Sequence, residues 1–327
     1  MLFEEQISRK PDLYPWTKEF IEAIWSGFWT PDEFNFRSDY AQFYSDLTEA
    51  EKGLIVRDLS AIAQIEVAVK SFWGDLGKTF PHPSIHDLGA AMANSEVIHN
   101  RAYEKLLDVL GLDEVFEQNL DEPALRGRVE YLKKYTEKNY SDQRKQFIYS
   151  IILFTLFVEN VSLFSQFYVV LHLNKHGGYL KDTAQQVQYT RNEEMLHSEV
   201  GIALIQTLRR EYPEMFDQEL ENRIVHECVE SLKAEDNVID WIIGDYDGTG
   251  TSLTADHLKT FIRRRMVTSL ESIGFESGAA HIDIDPKLAD ETYWFDEGLY
   301  GYTMTDFFQK TPVDYAKGKG VDADELF

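Results

Sequence analysis

The chain predicts an all-α fold, a bundle of long helices. Helix-start and helix-stop signals recur from end to end, and apolar residues return at spacings of three and four. Strand-like alternation is confined to short pieces such as 281–285, and no unit repeats along the sequence, which excludes a solenoid.

Each helix has its own punctuation. Thr48-Glu49-Ala50-Glu51 reads as a capping box, in which the Thr hydroxyl and the Glu carboxylate satisfy each other's backbone N–H groups, and it opens a helix running to about Gly77. Pro81 and Pro83 interrupt the chain, and Ser84 caps a second helix that ends near Gly111. A charged helix follows at about 122–138. The apolar stretch from about Ser141 stops at Gly177-Gly178, where glycine can take the left-handed conformation that closes a helix. A long helix over about 180–211 is closed by Pro213, and two more span about 217–243 and 254–275. His172 and His176 are expected to meet the last carbonyls of their own helix. From about Lys310 periodicity disappears, which divides the chain into a helical domain over 1–309 and a flexible tail over 310–327.

Composition narrows the function. The 327 residues are 43% hydrophobic, enough for a large core, and their formal net charge is −25. So acidic a chain argues against nucleic acid or anionic membrane as the main partner, and Arg263-Arg264-Arg265 is too short a basic run to change that. The apolar run 147–173 is long enough to cross a bilayer, but Glu159, Asn160 and Gln166 within it point to a helix buried in protein. One cysteine, Cys228, cannot form an internal disulfide framework or a Cys-rich metal site. With no signal peptide discernible, a cytoplasmic setting is expected. The loop 245–256 looks superficially like a calcium loop. Thr249 and Ser252 stand where an acidic ligand and an apolar residue are needed, so it reads as a connection between helices.

The chemistry concentrates in two ExxH pairs. Of nine histidines, only His99 and His197 have a glutamate three positions earlier, Glu96 and Glu194. Residues i and i+3 share a helix face, so each pair can aim a carboxylate and an imidazole at one point. Both lie on otherwise core-facing stripes: Leu88, Met92, Glu96, His99, Tyr103 on one helix and Val187, Thr190, Glu194, His197, Gly201, Leu204 on the other. One helix before each pair stands a glutamate in apolar surroundings, Glu66 in AIAQIEVAV and Glu159 in LFTLFVENVSLF. A lone glutamate from each of two helices plus ExxH from two others is the ligand set of ferritin-like dimetal carboxylate proteins. Four carboxylates balance two divalent cations, and oxygen and nitrogen ligands suit iron or manganese.

With those residues in place, the chain resembles the small, radical-generating subunit of class I ribonucleotide reductase, from about Trp16 to Phe327. The resemblance implies a ferritin-like fold and two metal ions, manganese or iron, held by Glu66, Glu96, His99, Glu159, Glu194 and His197. At Glu66 the family more often has Asp. Tyr103, in EVIHNRAY, falls where the family keeps its radical-bearing tyrosine. Trp29, in FWTPDEFNF, matches the relay tryptophan. Tyr315, in FFQKTPVDY, matches the tail tyrosine that passes the radical to the partner, and Asp322, Asp324, Glu325, Leu326 and Phe327 match the docking peptide. The implied partners are the catalytic large subunit and a second copy of the chain, with a flavoprotein activator in some members.

Two departures from the family pattern matter. Glu193 replaces the usual Asp that bridges the tryptophan to the ligand histidine, and its extra methylene is expected to alter the bridge. Lys70, four residues after Glu66, either snorkels outward or hydrogen-bonds near the cofactor. Glu66 with Lys70 favours the dimanganese, superoxide-activated subgroup, in which the metals keep the oxidant and Tyr103 is only a hydrogen-bonding neighbour. The competing classes are an oxidase or oxygenase on the same scaffold and a metal-storage protein. Trp29 and the tail weigh against both.

Overall fold

The computed structural model describes residues 1–248 and 251–296, with the side chains at 66–70 and 277 outside the description. Met1–Tyr293 form one unit. Of the second, Trp294–Phe327, only 294–296 are described. Among the described residues the fold is helical throughout and has no strand. In order, the helices are α1 (Thr17–Ser26), α2 (Arg37–Ser45), α3 (Glu49–Gly74), α4 (Leu76–Thr79), α5 (Pro83–Leu110), α6 (Asp113–Asn119) and α7 (Pro123–Leu132). They continue with α8 (Gln143–Leu153), α9 (Phe164–Gly177), α10 (Lys181–Glu211), α11 (Gln218–Ile243), α12 (Ala255–Ser272), α13 (Glu276–Ala279) and α14 (Pro286–Thr292).

The capping box forms as the sequence predicts. Thr48 N donates to Glu51 Oε2 at 2.8 Å, and Glu51 N donates to Thr48 Oγ1 at 3.3 Å. The predicted start of α5 needs correction, because Pro83 rather than Ser84 opens it. Proline at the first helical position gives up an N–H that had no partner there, so no side-chain cap is required. The helix expected to reach Gly77 ends at Gly74, and α4 follows as a separate turn. No strand forms at 281–285. Those residues lead into α14, which Asp285 caps through the amides of Lys287 and Leu288. The start of α10 is capped across space, since Asp39 of α2 accepts from Asp182 N at 3.2 Å and Thr183 N at 2.7 Å.

The apolar stretch is enclosed by protein. Across Gln143–Gly177, 94% of its most apolar window is buried, with a mean hydropathy of 1.9. It is also not a single α-helix. Between α8 and α9 lies a π-helical stretch, Phe154–Ser162, with every residue buried. Wide π turns interrupt α-helices mostly at functional sites, where an extra residue re-aims the side chains that follow.

Four elements carry the site. α3 packs along α5, and α10 lies against α9 and the π-helical stretch. Two glycines permit the close approaches. A Cβ on Gly89 would come within 2.5 Å of the Trp73 carbonyl oxygen, and one on Gly201 within 2.2 Å of Thr155 Oγ1. Behind the π turns, Tyr131 and Arg128 of α7 reach into the core. The Tyr131 hydroxyl lies 2.7 Å from Ser162 Oγ and donates to Glu235 Oε1 at 2.5 Å, and Arg128 Nη1 donates to Gln166 Oε1 at 3.2 Å.

His172 reaches a carbonyl beyond its own helix. Its Nε2 lies 2.7 Å from Thr251 O, tying α9 to the loop before α12. Burial pushes its pKa down to about 4, so the folded chain resists the proton that the unfolded chain takes up near 6.5. The resulting stability is complete above about pH 6.5 and is lost as pH falls toward about 4. Between pH 7 and 5 the loss is about 2 kcal/mol. His172→Gln, which can still donate to Thr251 but does not titrate, should lose less stability than the parent chain over that interval in urea unfolding. Equal losses in both chains would show that His172 does not contribute.

Candidate metal centre

Two ExxH pairs on neighbouring helices face one another. On α5, Glu96 and His99 stand one turn apart, and on α10 so do Glu194 and His197. The π-helical stretch adds Glu159, and all five side chains are buried. His197 Nδ1 lies 2.8 Å from Glu96 Oε1, 3.5 Å from Glu194 Oε2 and 3.7 Å from Glu159 Oε2. His99 Nδ1 lies 3.1 Å from Glu194 Oε1 and 3.3 Å from Glu96 Oε2. One potential ligand atom from each of Glu96, Glu159, Glu194 and His197 falls within 4.8 Å of the others.

These atoms fit a cation better than they fit one another. Both oxygens of Glu96 and of Glu194, Glu159 Oε2 and both ring nitrogens of His197 are buried without an aligned hydrogen bond among the described residues. Atoms so placed are costly unless a charge between them is supplied. The electrostatics agree. Burial, with the Glu194 charge beside it, pushes the Glu159 carboxyl well above the usual carboxylate range. Burial also opposes ionisation of Glu194, but the imidazoles of His197 and His99 outweigh it and hold that carboxyl below the usual range. Burial works against a charged His197, yet the surrounding carboxylates, Glu96 foremost, raise its pKa well above the usual value. The donor set is oxygen-rich with two imidazoles, which fits a dinuclear centre of hard or borderline divalent ions.

One carboxylate oxygen joins the cluster to a tryptophan. Trp29 Nε1 donates to Glu193 Oε2 at 2.8 Å, and His99 Nε2 lies 2.7 Å from the same oxygen. The extra methylene of Glu193 therefore still spans the gap, through one oxygen. The indole is buried and stacks near His99 at 6.3 Å between ring centroids, with Phe34 and Tyr189 edge-on at 5.7 and 5.8 Å. If His99 donates its Nε2 proton to Glu193, its Nδ1 lone pair faces the carboxylates, as a metal-binding imidazole requires.

The family model for ribonucleotide reductase, small chain, matches residues 7–278. The chain belongs to that family. This small chain is 22% identical to the ribonucleoside-diphosphate reductase subunit beta of Treponema pallidum over 314 residues, covering 94% of this chain and 87% of that protein. It is also 22% identical to the corresponding subunit of Halalkalibacterium halodurans over 318 residues, covering 96% and 89%. Among solved structures it is similar to the ribonucleotide reductase R2 subunit from Clostridium botulinum, with a TM-score of 0.76, 19% identity and coverage of 87% and 88%. It is similar as well to an R2-like ligand-binding oxidase reconstituted with a Mn/Fe cofactor, with a TM-score of 0.70, 18% identity and coverage of 83% and 99%. At these identities the solved structures establish the shared ferritin-like fold, and the family match favours the reductase over the oxidase.

Other expected site residues of the small chain are distributed as follows. Tyr103 is buried on α5 one turn beyond His99. Glu66 and Lys70 fall on α3, where the side chains lie outside the described residues, as do Tyr315, Asp322, Asp324, Glu325, Leu326 and Phe327. Two residues near the cluster escaped the sequence reading. Trp73 Nε1 donates to Glu159 Oε1 at 2.8 Å, holding that carboxylate from the side of α3. Its position seven residues after Glu66, on the same helix face, was the available signal. The other, Arg265, belongs to the short basic run 263–265. It is buried, while its neighbour Arg263 makes a half-buried pair with Asp236.

Proposed function

We propose that this small chain generates and holds a one-electron oxidant at the buried carboxylate–histidine cluster and delivers it through Trp29 to the catalytic large subunit. There it would start the reduction of ribonucleotides to deoxyribonucleotides. Glu66, Glu96, His99, Glu159, Glu194 and His197 would hold two ions of manganese or iron. When bound, these ions supply the one-electron oxidising chemistry after reaction with dioxygen or superoxide. Manganese is the first choice, resting on Glu66 with Lys70.

The observation that carries this reading is the Glu193 bridge. An indole that loses an electron becomes a strong N–H acid, and Glu193 Oε2, 2.8 Å from Trp29 Nε1, is positioned to take that proton. Proton and electron can then leave Trp29 together, so no bare radical cation is left in a low-dielectric core. Phe34, Tyr189 and the helices around the cluster keep water from both groups. Beyond Trp29, Tyr315 and the acidic, apolar-ended peptide 322–327 are assigned by resemblance to transfer and docking. Tyr103 is either the site of the stored radical or a neighbour of metals that keep it. The working assembly would be a homodimer with large subunits, in the cytoplasm, with a flavoprotein as a candidate activator.

Deleting 322–327 should abolish ribonucleotide reduction with the large subunit while leaving metal content and the electron paramagnetic resonance (EPR) spectrum unchanged. Retained activity would refute the docking assignment. Low-temperature EPR of the activated chain decides where the oxidant resides. A multiline manganese spectrum assigns it to the metals, and a narrow tyrosyl signal assigns it to Tyr103.

A further inference from the structure

The π-helical stretch that carries Glu159 ends where π-type hydrogen bonding gives way to α9, a junction at which the backbone ladder cannot continue in register. An arginine from another helix meets the stretch two residues before its end. Arg265 of α12 donates from Nε to the Asn160 carbonyl oxygen at 2.7 Å and from Nη2 to Asn160 Oδ1 at 3.1 Å. Asn160 directly follows Glu159. The same Nη2 lies 3.4 Å from Met195 Sδ, and Met195 directly follows Glu194. The guanidinium packs over Phe164, its carbon 3.4 Å from the ring centroid.

A buried guanidinium carries a large desolvation cost, and an apolar side chain would fill the same space without it. What arginine adds is a planar fork that reads the backbone and the side chain of one residue together. It thereby fixes the backbone on one side of Glu159, while Trp73 fixes the carboxylate itself at 2.8 Å. We propose that Arg265 is a positioning residue for the metal centre, locking the π turn at Asn160 against α10 at Met195 so that Glu159 and Glu194 converge on one point. This rests on the dimetal reading above and adds to it a determinant that is not itself a ligand.

The test is Mn²⁺ binding by the full-length chain, read as stoichiometry, affinity and EPR coupling between the two ions, together with the melting temperature of the metal-free protein. Arg265→Met should weaken binding of at least one ion by about 10–100-fold, the range for groups that orient ligands, and replace the coupled spectrum with that of isolated Mn²⁺. Arg265→Lys, which keeps the charge and can reach one acceptor, should fall between that variant and the parent. It decides the matter if the Met variant does not fold. Affinity and coupling within threefold of the parent in the folded variants, even with a lower melting temperature, would make Arg265 a packing residue and overturn the proposal. If the parent chain itself binds no metal pair, the dimetal reading has failed and this inference falls with it.

Discussion

Trp29→Phe should lower ribonucleotide reduction by about 100-fold or more, equivalent to about 2.7 kcal/mol or more of barrier, with both metal ions still bound. Phe keeps much of the apolar contact with Phe34 and Tyr189 but has no N–H for Glu193 Oε2 and is far harder to oxidise than indole. The cost to folding should be modest, about 1–3 kcal/mol for the smaller ring and the lost donor, because Glu193 still has His99 as a partner. Metal content and the EPR spectrum of the activated chain should therefore match the parent while turnover with the large subunit collapses. Glu193→Gln separates the two parts of the argument. Its carboxamide oxygen still accepts from the indole but is a poor base, so activity should fall by about tenfold or more with the Trp29 environment preserved. Full activity in Trp29→Phe would mean that the oxidant leaves by another route.

Much of this arrangement was legible in the sequence because it obeys helical periodicity. The spacing of Glu96 to His99 and of Glu194 to His197 needs only one turn of helix to bring a carboxylate and an imidazole together. The Thr48–Glu51 box was readable for the same reason, since its partners are three residues apart. Features set by tertiary packing were not readable. Nothing in LFTLFVENVSLF distinguishes a π turn from an α turn, because the stretch is apolar on all sides and the choice depends on what presses against it. The pressing groups come from other elements: Arg265 over Asn160, Tyr131 at Ser162, and α10, whose bare Gly201 lies against Thr155. The different surroundings of Arg263 and Arg265 were unreadable for a related reason. Three consecutive residues on a helix point in three directions, so their common charge says little about their common fate. Trp73 lies between these cases. Its spacing from Glu66 was visible, but its hydrogen bond to Glu159 depends on the crossing of α3 with the π-helical stretch.

Glu159→Gln should separate stability from function at the cluster itself. In the metal-free chain, burial and the neighbouring Glu194 already push the Glu159 carboxyl well above its usual range, so a neutral side chain is what that position favours. A carboxamide of the same shape can keep the acceptor for Trp73 Nε1 and present its NH₂ toward Glu194. The metal-free variant should therefore melt no lower than the metal-free parent, whereas most substitutions of a fully buried, hydrogen-bonded residue destabilise. Added metal should reverse the order. A ligand that binds only the folded state stabilises it by about 2.7 kcal/mol at a hundredfold excess over its dissociation constant, so the parent's melting temperature should climb with Mn²⁺. The variant, short of one anionic ligand, should climb much less, and activity with the large subunit should fall by about 100-fold or more. Melting curves of both chains with chelator and with Mn²⁺ provide the comparison. A metal-induced rise of equal size in the two chains would remove Glu159 from the ligand set. A variant that melts well below the parent in chelator would mean that the carboxylate is held by protein partners and needs no cation to satisfy it.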